Sequence, residues 1–276
     1  MKLRHGLEAA GGTDPGLVRE NNEDSFLIDE ELGLYVVADG MGGHNSGEIA
    51  SALATGTIHD RAPGVLGAKA PIPRGGAAKL SRAGRQLEYL VKSANAIIYA
   101  KGRALPKDAG MGTTVVAALV DRKTLTVAHV GDSRLYLWRQ GELSLLTEDH
   151  SLVGDQVRRG LITPEQASRS RLQNILTRAL GADKDVQVDV ADHALLAGDV
   201  VLLASDGLTK MLTDGEIAGT IAQEEVPRDV VDALIRKARD AGGEANITVI
   251  VVQAPRSAAQ PGPKSLWRKF LGFWRY

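Results

Sequence analysis

The sequence contains no cysteine among its 276 residues. Disulfide bonds, thiolate metal ligands and a cysteine nucleophile are therefore excluded, and the composition fits a reducing compartment. Long apolar runs are also missing. No stretch is long and apolar enough to span a membrane, and the N-terminal residues lack the apolar core of a signal peptide. We therefore expect a soluble, cytoplasmic protein.

An excess of charge of either sign is absent as well. The chain has 33 basic and 34 acidic residues, which give a formal net charge of −1. This balance offers no overall electrostatic basis for binding nucleic acid, so we expect no nucleic-acid partner. The hydrophobic content of 43% and the charged content of 24% are typical of a globular protein. The length suits one large domain or two small ones.

Short apolar runs bounded by Gly, Asp or Asn predict six β-strands. These runs cover residues 33–38, 115–120, 125–130, 135–138, 200–204 and 247–252. Turn residues at 121–123 and 140–141 predict two hairpins. Apolar side chains at helical spacing predict one helix that begins near residue 45 and another over 84–103. Hairpins combined with separate helices favour an α+β fold with antiparallel sheets.

Three further segments differ in composition from this core. Residues 61–83 hold three prolines and several glycines, which predicts a surface loop or insertion. Residues 151–180 are polar and weakly helical, with a helix start signal at 163–165. Residues 254–263 are rich in Pro and small residues, which is typical of a linker.

Acidic residues recur at the ends of the predicted strands, each beside small residues. Asp39 lies in ADGMGG, Asp132 in GDSR and Asp206 in SDG, while Glu23 and Asp24 precede the first predicted strand. A single such acid usually marks a turn. Carboxylates gathered at one sheet end would repel each other unless a cation offset their charge, and oxygen ligands favour Mg²⁺ or Mn²⁺. The pattern therefore indicates a divalent metal site if the strand ends converge.

Six motifs follow one another along the chain in a specific order. They are GLVRENNED (16–24), ADGMGGH (38–44), GMGTT (110–114), GDSR (131–134), SDG (205–207) and GGEANITVIV (242–251). In this combination, over about residues 10–253, the chain resembles the metal-dependent protein serine/threonine phosphatases of type 2C in their compact bacterial form. The resemblance implies a catalytic domain over 1–253, built as a four-layer αββα sandwich of two antiparallel sheets flanked by helices. It also implies phosphorylated proteins as substrates and a Ser/Thr kinase as a functional partner.

The resemblance further implies a centre of two Mn²⁺ or Mg²⁺ ions and a third, looser one. Asp39 would bridge the first two ions, Asp206 would bind the first, and the carbonyl of Gly40 would bind the second. Glu23 and Asp24 would act mainly through water molecules, and Asp132 would hold the third ion with help from Asp206. A hydroxide held between two ions would then hydrolyse phosphoserine or phosphothreonine without a covalent intermediate.

Two basic residues in these motifs have competing interpretations. The resemblance implies that Arg19 binds the substrate phosphate, which suits its bidentate guanidinium, whereas an arginine in a charged turn is commonly a solvated side chain. Met41 stands where some family members carry a histidine proposed as the general acid. His44 could take a catalytic role on the substrate side or make a structural hydrogen bond near the helix start.

The chain departs from the family pattern at Ala245. The family normally carries Asp directly before Asn-Ile-Thr, as a further carboxylate on the first metal. Three explanations stand: an engineered Asp-to-Ala variant, a natural enzyme of weakened activity, or a pseudophosphatase that binds phosphoproteins without turnover. Because the other motifs are intact, the first two are favoured over the third. Glu244 is the nearest substitute, but neighbouring residues of an extended chain point to opposite sides.

Residues 264–276, KSLWRKFLGFWRY, combine aromatic and basic side chains without an acid. The segment contains two of the three tryptophans and two of the three phenylalanines of the chain. Apolar and basic residues alternate at helical spacing, which predicts a basic amphipathic helix. Such a helix could dock on the inner membrane surface, dock on a partner protein, or pack on its own domain.

Overall fold

The structure is a computed structural model, and it describes residues 6–42, 46–67, 70–71, 73, 79–104 and 106–255. His44, the predicted helix start at residue 45, most of the predicted linker 254–263 and all of segment 264–276 lie outside the described residues. No helix in the described part of the chain has the length and hydropathy required to cross a bilayer.

Eleven β-strands in the described residues form two antiparallel sheets. The strands are β1 Glu8–Asp14, β2 Asp24–Asp29, β3 Leu34–Met41, β4 Gly112–Thr113, β5 Val115–Asp121, β6 Thr124–Val130, β7 Arg134–Arg139, β8 Glu142–Leu145, β9 Asp189–Ala194, β10 Val200–Ala204 and β11 Ile247–Gln253. The first sheet has the spatial order β1-β11-β10-β7-β8. The second has the order β2-β3-β5-β6-β9, and β4 pairs with β3 beside it.

The four longest helices cover the outer faces of the two sheets, and the described residues contain seven helices in all. They are α1 Ser46–Leu66, α2 Arg82–Ala104, α3 Leu152–Arg158, α4 Pro164–Ser168, α5 Asp206–Thr209, α6 Asp214–Gln223 and α7 Pro227–Asp240, with a 3₁₀ turn at Pro106–Asp108. Helices α1 and α2 pack on the second sheet, whereas α6 and α7 pack on the first. The short helices α3 and α4 lie in the segment 151–180, and α4 starts with a capping box at Thr163, as the sequence predicts.

Strand β3 shows how the sequence pattern produces the layers. Leu34, Val36 and Ala38 belong to the apolar cluster beneath α1 and α2. Tyr35 and Val37, which alternate with them, belong to the cluster between the two sheets. The period of two follows from the pleat of a strand buried on both faces. The result is a helix–sheet–sheet–helix arrangement, so the predicted four-layer αββα sandwich of the α+β class is confirmed.

Most predicted elements agree with the structure, and one does not. All six predicted strands are present, and both predicted hairpins form at turns where Arg122 and Gln140 adopt left-handed φ angles of 56° and 54°. The prediction that residues 61–83 form a loop is wrong at both ends. Helix α1 continues through Pro63 to Leu66, and α2 already begins at Arg82.

Several strand ends meet at one end of the sandwich. The register pairs Asp24 of β2 with Asp39 of β3, and it pairs Ala204 of β10 with Arg134 of β7. Strand β11 begins beside the end of β1, where Asp14 pairs with Ile247. The segments that leave these strand ends carry the acidic motifs of the sequence.

Candidate active site

A cleft of about 320 Å³ opens at this end of the sandwich. Its lining includes Arg19, Glu23, Asp39, Gly40, Met41, Asp132, Asp206, Lys210, Glu244, Ala245 and Asn246. Asp39 comes from the end of β3, Asp132 from the turn between β6 and β7, and Asp206 from the first residue of α5. The structure therefore brings the acids of three separate motifs into one cleft, with Asp24 opposite Asp39 on the neighbouring strand.

The carboxyl groups of the cleft perturb one another strongly. Burial, reinforced by the neighbouring charge of Asp206, raises the pKa of Asp24 to about 7. Burial and the same neighbour raise the pKa of Asp132 to about 7. The pKa of Asp39 rises well above its usual range because the group is buried among Asp24, Asp206 and Asp132. Such mutual repulsion is the electrostatic condition under which a divalent cation binds with advantage.

The donor chemistry of the cleft fits a hard divalent cation. The Oδ1 atom of Asp24 is buried and has no hydrogen-bond partner among the described residues. Its second oxygen, Oδ2, accepts a hydrogen bond of 2.7 Å from the Ser205 hydroxyl. A buried acceptor left without a donor is costly, and a cation or its coordinated water would satisfy it. The cleft offers carboxylate and carbonyl oxygens, which is the ligand set preferred by Mg²⁺ and Mn²⁺.

The glycine after Asp39 is required by close backbone packing. A Cβ atom at Gly40 would lie 2.2 Å from the carbonyl oxygen of Gly47 and 2.5 Å from that of Glu23. The amide of Gly40 donates to the same Glu23 oxygen over 3.0 Å. The segment before β2 and the start of α1 can therefore approach the acidic end of β3 only because residue 40 has no side chain.

Two threonines hold the backbone of Asp39 in place. The Asp39 amide donates to the Thr114 hydroxyl over 3.0 Å, and the Thr114 amide donates to the Asp39 carbonyl over 2.9 Å. The Thr113 hydroxyl donates to the same carbonyl over 2.8 Å. The GMGTT motif thus fixes the main chain that carries this partly buried carboxylate.

Asn246, which lies in the last motif (242–251), connects that motif to the first one (16–24). Its Oδ1 atom accepts from the Glu23 amide over 2.8 Å, and its Nδ2 donates to the carbonyls of Pro15 and Asn21 over 3.0 and 2.9 Å. These three bonds hold the loop that carries Arg19. Sequence reasoning did not single out Asn246, although its place directly after Ala245 in the same motif was a usable signal.

Arg19 and Ala245 both line the cleft, and they differ in what they contribute to it. Arg19 is exposed on its loop, lines the cleft, and its charge opposes the rise that burial causes in the pKa of Glu23. Ala245 lines the cleft together with Asp39 and Asp206, and contributes no carboxylate there. Glu244 lines the same cleft as Ala245 and is exposed. Met41 ends β3 at the rim, whereas His44 is outside the described residues.

A second polar cluster lies behind the turn that carries Asp132. His150 Nδ1 accepts from the Gly131 amide over 3.1 Å, and the His150 amide donates to the Gly131 carbonyl over 2.9 Å. Nε2 of His150 must therefore carry the proton, and it donates to Asp189 over 3.1 Å. Burial, and next the charge of stacked His129, lower the pKa of His150 to about 4.

This second cluster is a hydrogen-bonded support and not a further metal site. His129, His150 and Asp189 are close enough to share an ion. However, both nitrogens of His150 are engaged, His129 Nε2 lies 2.9 Å from the Glu148 carbonyl, and Arg178 donates to Asp189 over 2.7 Å. Sequence reasoning missed this cluster because its members are spread over 60 residues and meet only through the fold.

Comparisons with known proteins agree with this fold and cleft. The family model described as Protein phosphatase 2C matches residues 16–247. The serine/threonine phosphatase Stp of Listeria innocua is 35% identical over 262 residues, which cover 93% of this chain and 98% of the relative. The solved Mycobacterium tuberculosis serine/threonine phosphatase PstP/Ppp superposes with a TM-score of 0.79 at 35% identity, covering 91% of this chain and 99% of the other.

A further solved structure is the catalytic domain of PstP in complex with two manganese ions. It superposes with a TM-score of 0.77 at 34% identity, covering 90% of this chain and 98% of the other. Three findings agree: the family model matches, the sequence identity extends over nearly the full length of a relative, and the fold is shared. The chain belongs to the protein phosphatase 2C family.

Proposed function

We propose that the protein hydrolyses phosphoserine and phosphothreonine esters of proteins with the help of Mn²⁺ or Mg²⁺. The observation that carries this proposal is a group of partly buried carboxylates with raised pKa values: Asp39 and Asp132 line the cleft with Arg19, and Asp24 lies opposite Asp39 on the neighbouring strand. Water attacks phosphorus, the bond between phosphorus and the serine or threonine oxygen breaks, and the alcohol and inorganic phosphate leave. Family membership and the phosphatase names of the relatives support the same reaction.

Each acidic residue has a separate role in the proposal. Asp39 would contact two ions, Asp206 would hold the first of them, and the Gly40 carbonyl the second. Glu23 and Asp24 would act through coordinated water, and Asp132 with Asp206 would hold a third, looser ion. When bound, the ions activate the attacking water and neutralise charge on the phosphoryl group. The hydrogen bond that the Ser205 hydroxyl donates orients the Asp24 carboxylate, and the bond from the Asp39 amide to the Thr114 hydroxyl holds the main chain that carries Asp39.

Arg19 orients the substrate in this proposal. Its exposed guanidinium at the cleft rim can donate two parallel hydrogen bonds to the phosphate oxygens. The same charge opposes the negative charge that accumulates on those oxygens during the reaction. His44 stays a candidate for contact with the substrate.

Ala245 weakens the metal site in the chain as given. Loss of even an indirect contact to a metal commonly costs about 10–100-fold in affinity or activity, so a missing direct ligand should cost at least that. This same residue favours the second candidate function, a pseudophosphatase that binds phosphoproteins without turnover. Exposed Glu244 is the nearest carboxylate that could compensate.

The test compares the given chain with Ala245→Asp in assays of an aryl phosphate and a phosphothreonine peptide while Mn²⁺ is titrated. Ala241→Asp, which adds the same charge at an exposed site four residues away, is the matched control. We expect Ala245→Asp to reach half-maximal activity at about tenfold less Mn²⁺ or lower, and the control to match the given chain. If both chains stay inactive at every Mn²⁺ concentration, the hydrolytic proposal fails. Binding of the phosphopeptide without turnover would then support the pseudophosphatase.

The remaining parts of the proposal concern the setting of the catalytic domain 1–253. We propose a cytoplasmic enzyme that opposes a Ser/Thr kinase, with 254–263 as a linker and 264–276 as a docking helix for an anionic membrane surface or a partner protein. Co-sedimentation with anionic vesicles, compared between the full chain and a chain that ends at Pro263, tests the membrane part. Equal amounts of both chains in the pellet would contradict it.

A further inference from the structure

Lys210 places an ammonium group directly on one of the proposed metal ligands. It caps the C-terminal end of α5, one helical turn after Asp206, and its Nζ donates to the Asp206 carboxylate. Both side chains are largely buried, with exposed fractions of 24% for Lys210 and 20% for Asp206. An ion pair shielded from water in this way is stronger than one on the open surface.

The charge of Lys210 also acts on the rest of the cleft. It opposes the rise that burial and Asp206 cause in the pKa of Asp132. The ammonium therefore offsets part of the repulsion among the carboxylates, which is the effect expected of a bound cation. An ion that binds Asp206 has to compete with Lys210 for the same carboxylate and is repelled by its charge.

The same ammonium group holds the polar segment 151–180 against the cleft. Lys210 Nζ donates to Asn174 Oδ1 over 2.6 Å. The base of the segment is fixed separately, because Ser151 bridges to Leu176 and the Thr177 amide donates to the His150 carbonyl over 2.8 Å. The Lys210–Asn174 bond thus joins the inner part of this segment to α5.

Lys210 also stands at the boundary of two cavities. It lines the acidic cleft and a neighbouring groove of about 430 Å³ beneath α3 and α4. A movement of its side chain away from Asp206 would therefore change the cleft and the contact with Asn174 at the same time.

We propose that Lys210 is an internal cation that competes with the metal for Asp206 and links metal binding to release of residues 170–174. This inference rests on the metal site of the proposed function. Lys210 would set the metal concentration at which the cleft binds its ions. Its contact with the adjoining segment would depend on whether metal is bound.

The test measures Mn²⁺ binding directly on the full chain, from the electron paramagnetic resonance signal of free Mn²⁺. Lys210→Met keeps the apolar stem and removes the charge. Lys92→Met is the matched control, since Lys92 pairs with Glu88 one turn away on α2 over 2.6 Å, far from the cleft. We expect Lys210→Met to bind Mn²⁺ about tenfold more tightly, which corresponds to about 1.4 kcal/mol, and the control to be unchanged.

Hydrogen–deuterium exchange of the amides of residues 170–174 provides the second measurement. Mn²⁺ should increase exchange in the given chain, whereas Lys210→Met should exchange at the higher rate already without metal. Asn174→Ala should exchange faster without metal and bind Mn²⁺ within twofold of the given chain, because it removes only the contact with the segment.

The outcomes separate this inference from the proposed function. If the given chain binds Mn²⁺ and Lys210→Met binds it within twofold of the same affinity, the competition is refuted while the metal site stands. If Lys210→Met changes only the KM for an aryl phosphate, Lys210 contacts substrate and the inference is again refuted. If the given chain binds no Mn²⁺ at millimolar concentrations, both this inference and the metal-dependent function fail.

Discussion

Metal binding to this protein should release protons, and the pKa values of the carboxyl groups at the cleft determine how many. Burial and neighbouring charge raise the pKa values of Asp24 and Asp132 to about 7, so each is about half protonated at pH 7 without metal. A bound divalent cation favours the carboxylate form of both, which releases about one proton in total. Asp39, whose pKa is also raised, adds to this number. The Mn²⁺ affinity should therefore rise with pH, by about tenfold per pH unit near pH 7, and level off at higher pH.

The assay is calorimetric titration of Mn²⁺ into the metal-free protein, in two buffers with different enthalpies of ionisation. The slope of the observed enthalpy against the buffer enthalpy gives the number of protons released. We expect about one or more at pH 7 and clearly fewer at pH 8.5. A slope near zero at pH 7 would show that the carboxylates are already ionised before the metal arrives, and would refute the electrostatic reasoning about this cleft.

Three further predictions concern the substrate, the backbone and the supporting cluster. Arg19→Lys should raise the KM for an aryl phosphate about tenfold through loss of bidentate contact and leave Mn²⁺ affinity unchanged; an unchanged KM would contradict this. Gly40→Ala should lower the free energy of unfolding by about 2 kcal/mol or more, because the added Cβ would lie 2.2 Å from the Gly47 carbonyl oxygen. In the same denaturant titration the control Gly56→Ala should not lower it, because a Cβ at Gly56 has no atom within 4 Å. Burial lowers the pKa of His150 from 6.5 to about 4, so its contribution to stability is present above pH 6.5 and is lost as the pH falls towards 4. Relative to His150→Gln, the given chain should lose up to about 3 kcal/mol over that range in denaturant titrations; parallel pH curves for the two chains would contradict this.

The central strands were predictable because they are buried on both faces. Runs such as residues 115–120 and 247–252 are nearly all apolar, and Gly, Asp or Asn marks their ends. Strand β1 was not predictable in this way. Its sequence, EAAGGTD, carries small residues because a Cβ at Gly11 would lie 2.8 Å from Phe26 of the other sheet. Because close packing requires small residues in this strand, its sequence lacks the apolar pattern from which a strand is predicted.

The end of α1 shows tertiary contacts overruling local sequence signals. The three prolines and several glycines of residues 61–83 predicted a loop or insertion. Pro63 lies inside α1 nevertheless, where a proline removes a helical hydrogen bond. In the structure, Ile58 and Ala62 are fully buried in the cluster shared with α2, and Gln86 of α2 donates to the Val65 carbonyl over 2.5 Å. These contacts hold the last turn in helical form despite the proline.

The acids of the candidate site were visible in the sequence, but their partners were not. Asp39 follows its apolar run directly, Asp206 follows its own after one serine, and a glycine comes after each acid. The support from His150 to Gly131 and the contact from Lys210 to Asn174 join residues whose types are common and whose spacing has no pattern. Only the folded chain reveals such contacts, since they depend on how the segment 151–180 returns to the sheets.

The pairing of the first and last strands determines how the domain would respond to mechanical load. Strands β1 and β11 run antiparallel through seven register pairs, from Glu8 with Gln253 to Asp14 with Ile247. The Glu8–Gln253 end lies about 20 Å from the acidic cleft, given the rise per residue of a strand. A force that pulls residues 8 and 253 apart would load one hydrogen-bonded pair at a time, as in a zipper, and strands in this geometry separate at low force. The two strands would therefore separate first at the end remote from the cleft, and the Asp14–Ile247 end, next to Ala245 and Asn246 of the cleft, would be the last to bear the tension.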